Sequence, residues 1–265
     1  IVSKGIEWAA IELSKVLKKN IPILILTKGL AIHDNKYEVL AHKFERLLKK
    51  NGIKETNISA AGGPCLAKGL SNKVHTSVIF ANKDIKIAKK ISDLVSTNYY
   101  HVYATEDVIG VEVCAAIKNI FSMAIGAAQG LCNSSMINKK NEENYLNTAA
   151  SLLQQSIYEM VIFTENLNGK KDTVIGLAGI GDLYVSADGG RNSKMGYYLG
   201  QGFSFKKAKK EKMPNDTVEG ADLAYEIGKK VKVDFNIKKL PLMNAIIDTI
   251  CEEKILKVEW ENFKL

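Results

Sequence analysis

The stretch Val108–Leu131 constrains this chain most, because it is too apolar for a helix with one solvated face and must be enclosed by other elements. Glu112, Lys118, Asn119 and Gln129 interrupt it, so a bilayer span is not expected, and it reads as the central helix of a helical domain. At 100° per residue, Glu112, Asn119, Ser122, Gly126 and Gln129 fall into one stripe with Lys118 on its flank, an arrangement able to line a cleft. A lysine there needs an anion or an aqueous path, since burying a lone ammonium is costly and pushes its pKa down. A neighbouring helix that supplies an ion-pair partner satisfies the same requirement without any chemistry.

Upstream the periodicity changes. Gly5–Lys19 has helical spacing of apolar residues and Asn20–Pro22 breaks it. Ile21–Leu26 is then a continuous apolar run of the kind buried on both faces of a parallel sheet. Thr27-Lys28-Gly29 stands at its carboxyl end, where open α/β sheets bind ligands, which makes Lys28 a site candidate. His33–Lys50 reads as an amphipathic helix stopped by Asn51-Gly52. Asn57–Ala61 is a strand running into Gly62-Gly63-Pro64, with Pro64 suited to the first position of a short helix. Thr76–Ala81 and His101–Ala104 are further strands around a helical segment carrying Ile85, Ala88, Ile91 and Leu94. Alternating strands and helices with short joints predict a doubly wound parallel sheet up to residue 106. From 107 to 265 only helical patterns follow: Thr148–Leu167, Ala221–Val231 and Pro241–Leu256, with Lys206–Lys212 as a solvated loop or helix face.

Gly176–Gly202 gathers unlike chemistries within one short span. Gly179, Gly181, Gly189 and Gly190 permit tight turns or close approach to the backbone, and Asp182, Ser186, Arg191 and Asn192 lie among them. With a helix over Asn192–Leu199, Gly189-Gly190-Arg191 would bring amide N–H groups and a fixed positive charge to its first turn, a phosphate-sized anion site. A solvated Gly-rich loop with Arg and Asp paired to each other is the alternative reading. The excess of 37 Lys+Arg over 29 Asp+Glu, a net charge of +8, is spread along the chain. It fits a basic surface that attracts anionic metabolites better than a nucleic-acid groove. Cys65, Cys114, Cys132 and Cys251 show no metal-ligand spacing, so a reduced cytoplasmic protein without bound metal is expected.

Taken together, several motifs resemble the NAD(P)-dependent glycerol-3-phosphate dehydrogenase family. They are Thr27-Lys28-Gly29, Gly63-Pro64-Cys65-Leu66-Ala67, Val108-Ile109-Gly110-Val111-Glu112 leading to Ile117-Lys118-Asn119, Gly179-Ile180-Gly181-Asp182-Leu183, Gly190-Arg191-Asn192, Leu199-Gly200-Gln201-Gly202 and Val218-Glu219-Gly220. Each is weak alone, and their order and spacing are specific. The resemblance implies a partial Rossmann-type parallel sheet domain at 1–106 and an all-α C-terminal substrate and catalytic domain at 107–265. It implies a soluble oxidoreductase, a homodimer, that interconverts sn-glycerol 3-phosphate and dihydroxyacetone phosphate with NAD or NADP and feeds phospholipid synthesis.

In that scheme Lys118 is the general acid/base, with Lys28 and Asp182 as further catalytic groups and Asp182 able to orient and tune Lys118. Lys28, Gly63, Cys65, Lys118, Asp182, Ser186, Gly190, Arg191 and Asn192 would hold the substrate. Lys28, Ala67, Arg191, Thr217 and Glu219 would meet the cofactor. Cys65 stands where the family has a small hydroxyl residue and Ser186 where it has Thr. No G-x-G-x-x-G follows a strand, and Ile1-Val2-Ser3 aligns after the family's third strand. The chain therefore reads as an N-terminally incomplete member, expected to bind dinucleotide poorly by itself. A two-domain hydroxyacid dehydrogenase, without the Gly190-Arg191-Asn192 site, and a non-catalytic binding protein that retained the helical domain are the rival readings.

Overall fold

The computed structural model describes residues 5–18, 21–134 and 145–264; Ile1-Val2-Ser3 and the expected helix end at Lys19 and Asn20 lie outside the described residues. In order the chain forms α1 (Ile6–Ser14), β1 (Pro22–Ile25), β2 (Leu30–His33), β3 (Lys36–Val39), α2 (Leu40–Lys50), β4 (Asn57–Gly62), α3 (Ala67–Ser71), β5 (Thr76–Ala81), α4 (Ile85–Val95) and β6 (Tyr100–Thr105). There follow α5 (Val108–Ser134), α6 (Leu146–Asn166), α7 (Lys171–Ile175), a π-helical turn at Leu177–Gly181, α8 (Asp182–Ala187), α9 (Arg191–Gly200), α10 (Phe205–Glu211), α11 (Glu219–Asp234) and α12 (Pro241–Cys251). Two compact units result: Ile1–Ala116 with Thr164–Asp182, and Ile117–Phe163 with Leu183–Leu265.

The first unit holds a four-stranded sheet in the order β1-β4-β5-β6. It is mixed and not wholly parallel as expected, because β4 and β5 pair antiparallel (Ala60↔Ala81, Gly62↔Ile79) while β1–β4 and β5–β6 are parallel. The β4–β5 connection contains only the short helix α3, too little to carry the chain back along the sheet, whereas α4 makes a full crossover between β5 and β6. The carboxyl ends of β1 and β4 consequently share one edge of the sheet, and Lys28 and Gly63-Pro64-Cys65 leave from it.

The expected helix from His33 is replaced at its start by a hairpin. Leu30–His33 pairs with Lys36–Val39 around Asp34 and Asn35, which take φ of 46° and 57°. Asp and Asn tolerate this left-handed conformation and it suits a two-residue hairpin turn, so the alternation of Leu30, Ile32, Tyr37 and Val39 prevails over the helical period until Leu40. Pro64 likewise does not start a helix. At Gly63, with φ 107°, a Cβ would lie 3.2 Å from Cα of Val78. The chain crosses β5 at backbone contact, and α3 begins only at Ala67. Ile6 and Ala10 of α1 and Leu40, Phe44 and Leu48 of α2 close over Ile25, while Ile91 of α4 packs with Val78 and Phe80. Burial of side chains of this size contributes roughly 1.5–3 kcal/mol each.

Helix α5 is the one helix among the described residues long and apolar enough to cross a membrane, and 89% of its most apolar window is buried within the protein, as for a core helix. Its polar stripe is divided among different partners, with Asn119 meeting Asn192. Glu112 is buried and accepts the Ala41 N–H with both carboxylate oxygens, at 2.9 and 3.2 Å, capping α2, whose own N-cap Val39 offers no side-chain acceptor. Gly126 is a contact point between helices: a Cβ there would fall 2.2 Å from the Ser193 carbonyl oxygen. In the second unit the seam continues with Gly130 on Tyr197, Gly196 on Met123 and Gly200 on Ala127, so α5 and α9 meet backbone to backbone. Leu152, Met160 and Phe163 of α6 and Ile246 and Ile250 of α12 are buried, and Phe163 stacks on Phe235 with centroids 4.9 Å apart.

A second buried carboxyl, Glu159, accepts Leu242 N–H and Met243 N–H at 2.8 Å each and Gln155 Nε2 at 2.9 Å, capping α12. Burial pushes Glu112 up to about 8 and Glu159 up to about 7, above the ordinary 4.5. Because both folded values are raised, the stability these groups contribute is complete below about pH 4.5 and is lost as pH rises through 7 and then 8. The urea midpoint is therefore expected to fall from about pH 5 to about pH 8.5, and less steeply in Glu159→Gln. An identical slope in that variant would exclude Glu159 as a source.

Candidate active site

In the first unit the predicted residues cluster at the sheet edge. Lys28 Nζ donates to Asp182 Oδ2 at 2.6 Å, with the lysine side chain 32% exposed and the carboxylate 4% exposed. Asp182 is placed by the π-helical turn. A Cβ at Gly179 would come within 1.9 Å of the Val174 carbonyl oxygen, and one at Gly181 within 3.4 Å of Pro64. Gly179 therefore serves close packing of backbone within the π-turn, whereas at Gly181 the distance to Pro64 is ordinary contact. Cys65 and Ala67 are exposed on the β4–α3 connection. The Cys65 thiol is raised above its usual value, first by burial and then by Asp182, with Lys28 opposing, so it is no activated thiolate.

The second unit carries the other group. Lys118 is 6% exposed and its Nζ donates to Ser186 Oγ at 2.7 Å. Gly190, in extended conformation, caps α9, so Arg191 and Asn192 open its first turn. The Arg191 guanidinium donates to Glu219 at the start of α11. Asn192 is buried; its Nδ2 donates to Asn119 Oδ1 at 3.1 Å and to Glu219 Oε2 at 3.5 Å, and its Oδ1 accepts Gly220 N–H at 2.9 Å. The leading turns of α9 and α11 are thus drawn together beside Asn119, the neighbour of Lys118. Arg191 and Glu219 are 53% and 41% exposed at their side chains, so their pairing contributes little and leaves the guanidinium accessible to a stronger anion. Thr217 is exposed just before α11.

Structure thus brings together Lys28 with Asp182, Lys118 with Ser186, and Arg191 with Asn192 and Glu219. The sequence reading did not assign Asn119 to the site, although it stands beside Lys118 in the polar stripe, which was signal enough. It also gave no role to Asp107, whose position before an apolar helical run marks an N-cap.

A family model described as the NAD-dependent glycerol-3-phosphate dehydrogenase C-terminus matches residues 107–260. An NADP(+)-dependent glycerol-3-phosphate dehydrogenase of Archaeoglobus fulgidus is 32% identical over 92% of this chain and 69% of its own length. A glycerol-3-phosphate dehydrogenase [NAD(P)+] of Francisella tularensis is 32% identical over 88% of the chain, which spans 65% of that relative. The crystal structure of glycerol-3-phosphate dehydrogenase from Coxiella burnetii shares the fold, with a TM-score of 0.76 at 22% identity, over 96% of this chain and 72% of that one.

Proposed function

We propose that this chain, which belongs to the NAD(P)-dependent glycerol-3-phosphate dehydrogenase family, interconverts sn-glycerol 3-phosphate and dihydroxyacetone phosphate, with Lys118 as the general acid/base. The observation that carries this reading is the second unit's own arrangement: a buried lysine at 118 and, anchored through Asn119, an Arg191–Asn192 pair at a helix start. A proton donor and a binding group for a phosphate monoester are thereby built on one framework.

The nicotinamide cofactor, when bound, would supply hydride to the ketone carbon from its reduced form, NADH or NADPH, and its oxidised form would accept hydride from the alcohol in the reverse direction. Ammonium Lys118 then gives its proton to the carbonyl oxygen, and neutral Lys118 takes the hydroxyl proton in alcohol oxidation. Ser186, which accepts from Nζ, orients it. Arg191 and Asn192 hold the phosphate with charge-assisted bonds. Lys28, kept in place by Asp182, contacts substrate and cofactor, with Gly63 and Cys65 beside the substrate and Gly190 shaping the phosphate turn. Ala67, Thr217 and Glu219 would meet the cofactor; all three have exposed or half-exposed surface available to it. We further place the C-terminal part of a dinucleotide-binding domain in 1–106, the substrate and catalytic function in 107–265, and the protein in the cytoplasm as a homodimer. The four cysteines, all free, fit a reducing compartment.

The test is Arg191→Ala. Loss of a charge-assisted bond to phosphate, typically about 1.5–3 kcal/mol, should raise KM for dihydroxyacetone phosphate by roughly 10- to 150-fold with a smaller effect on kcat. Equal efficiency of the parent on unphosphorylated dihydroxyacetone would remove the basis for the phosphate site.

A further inference from the structure

The opening turn and a half of α5 is where three segments of the first unit converge. Asp107 caps the helix through Oδ1, which accepts Gly110 N–H at 2.8 Å, while Oδ2 accepts Lys170 N–H at 2.9 Å and the Thr173 hydroxyl at 2.6 Å. Val111 lies against the end of β4, where a Cβ on Gly62 would meet its Cγ1 at 2.7 Å. Glu112 holds the start of α2 through Ala41.

Each of these segments continues along the chain to the sheet-edge cluster, from Gly62 directly, from Thr173 through the π-turn, and from Ala41 back through the β2–β3 hairpin. Thr173 adjoins Val174 in α7, on whose carbonyl Gly179 is pressed, and the π-turn Leu177–Gly181 that contains Gly179 is followed directly by Asp182. Ala41 lies two residues after Val39, which pairs with Leu30 at the base of the hairpin, two residues beyond Lys28. From Gly62 the chain continues to Cys65. The two ends of the Lys28–Asp182 contact are therefore tied, one through the β2–β3 hairpin and the start of α2 and the other through α7 and the π-turn, to carboxyl groups on the same short piece of helix.

We infer that Asp107 and Glu112 are positioning residues for the Lys28–Asp182 ion pair. Neither touches the pair. A 2.6 Å charge-assisted hydrogen bond depends steeply on distance and direction, and Lys28 sits on a flexible, 32% exposed side chain. The backbone supports at both ends must be fixed for the contact to persist. Helix capping alone would account for the hydrogen bonds of Asp107 and Glu112, but it would make no demand on Lys28.

The inference rests on the reading of Lys28 and Asp182 as site residues, yet its test needs no turnover, so failure of the dehydrogenase assignment would leave the outcome readable. The whole protein is pulsed with acetic anhydride, and acetylation of each lysine is followed by peptide mass spectrometry. Held against Asp182, Nζ of Lys28 is sequestered from the reagent, and Asp182→Asn sets the rate of the released state. Thr173→Val and Glu112→Ala should each raise Lys28 acetylation about threefold or more, a local opening, while Lys118 in the other unit stays slow. Thr173→Ser, which keeps the hydroxyl, should restore the parent rate. Unchanged Lys28 labelling in both variants would overturn the inference, as would a rise in Thr173→Ser equal to that in Thr173→Val. Should Glu112→Ala open generally, shown by faster Lys118 labelling, the two Thr173 variants decide by themselves.

Discussion

Lys118→Ala is expected to lower kcat by ~10²–10⁴-fold while leaving cofactor affinity within a few-fold of the parent, because it removes a positioned proton transfer and not a binding contact. The side chain is 6% exposed and anchored on Ser186 at 2.7 Å, so the proton it carries is held in one place. Lys118→Arg separates charge from proton transfer. A guanidinium keeps the positive charge but does not deprotonate in the working range, so it should remain as deficient as alanine in the oxidation direction. Steady-state kinetics in both directions, with titration of the reduced cofactor, measure this. Turnover within a few-fold of the parent in Lys118→Ala would rule out the acid/base role.

Gly196→Ala should have the largest effect on stability among alanine substitutions at the glycines of the α5–α9 seam. The added Cβ would stand 1.9 Å from the Met123 carbonyl oxygen, and since both partners are helical backbone the two helices must separate. Overpacking of this kind costs typically about 1–3 kcal/mol, occasionally more, which a urea midpoint reads directly. Because Arg191 and Asn192 open α9, a displaced α9 should also weaken the phosphate contact and raise KM. Gly69→Ala is the counterpart: it sits in α3 with nothing within 4 Å of the new atom, and should stabilise by about 0.5–1 kcal/mol. A Gly196→Ala protein as stable as the parent would mean that the seam has room to adjust.

Much of the architecture was legible in the sequence because it follows from local chemistry. The apolar period of Val108–Leu131 required an enclosed helix, and the short apolar runs at Ile21–Leu26, Asn57–Ala61 and Thr76–Ala81 required strands. Gly190-Arg191-Asn192 before a helical pattern located the start of α9. The motif set located the family, which the match over residues 107–260 bears out. The hairpin at Leu30–Val39 was legible too, in its alternation and its Asp-Asn turn, but the stronger amphipathic pattern of α2 obscured it.

Other features were decided by contacts between residues far apart in the chain, where periodicity carries no information. Whether β5 runs with or against β4 depends on how much helix the connection can hold, and an isolated strand reads the same in either direction. Glu112 and Lys118 lie on the same apolar helix and look alike as buried charges. Only the fold gives the first the Ala41 amide to cap and the second the Ser186 hydroxyl. Local chain chemistry specifies which elements form and which chemical groups are present. Tertiary structure decided their partners, because a buried polar group takes its meaning from the group that satisfies it.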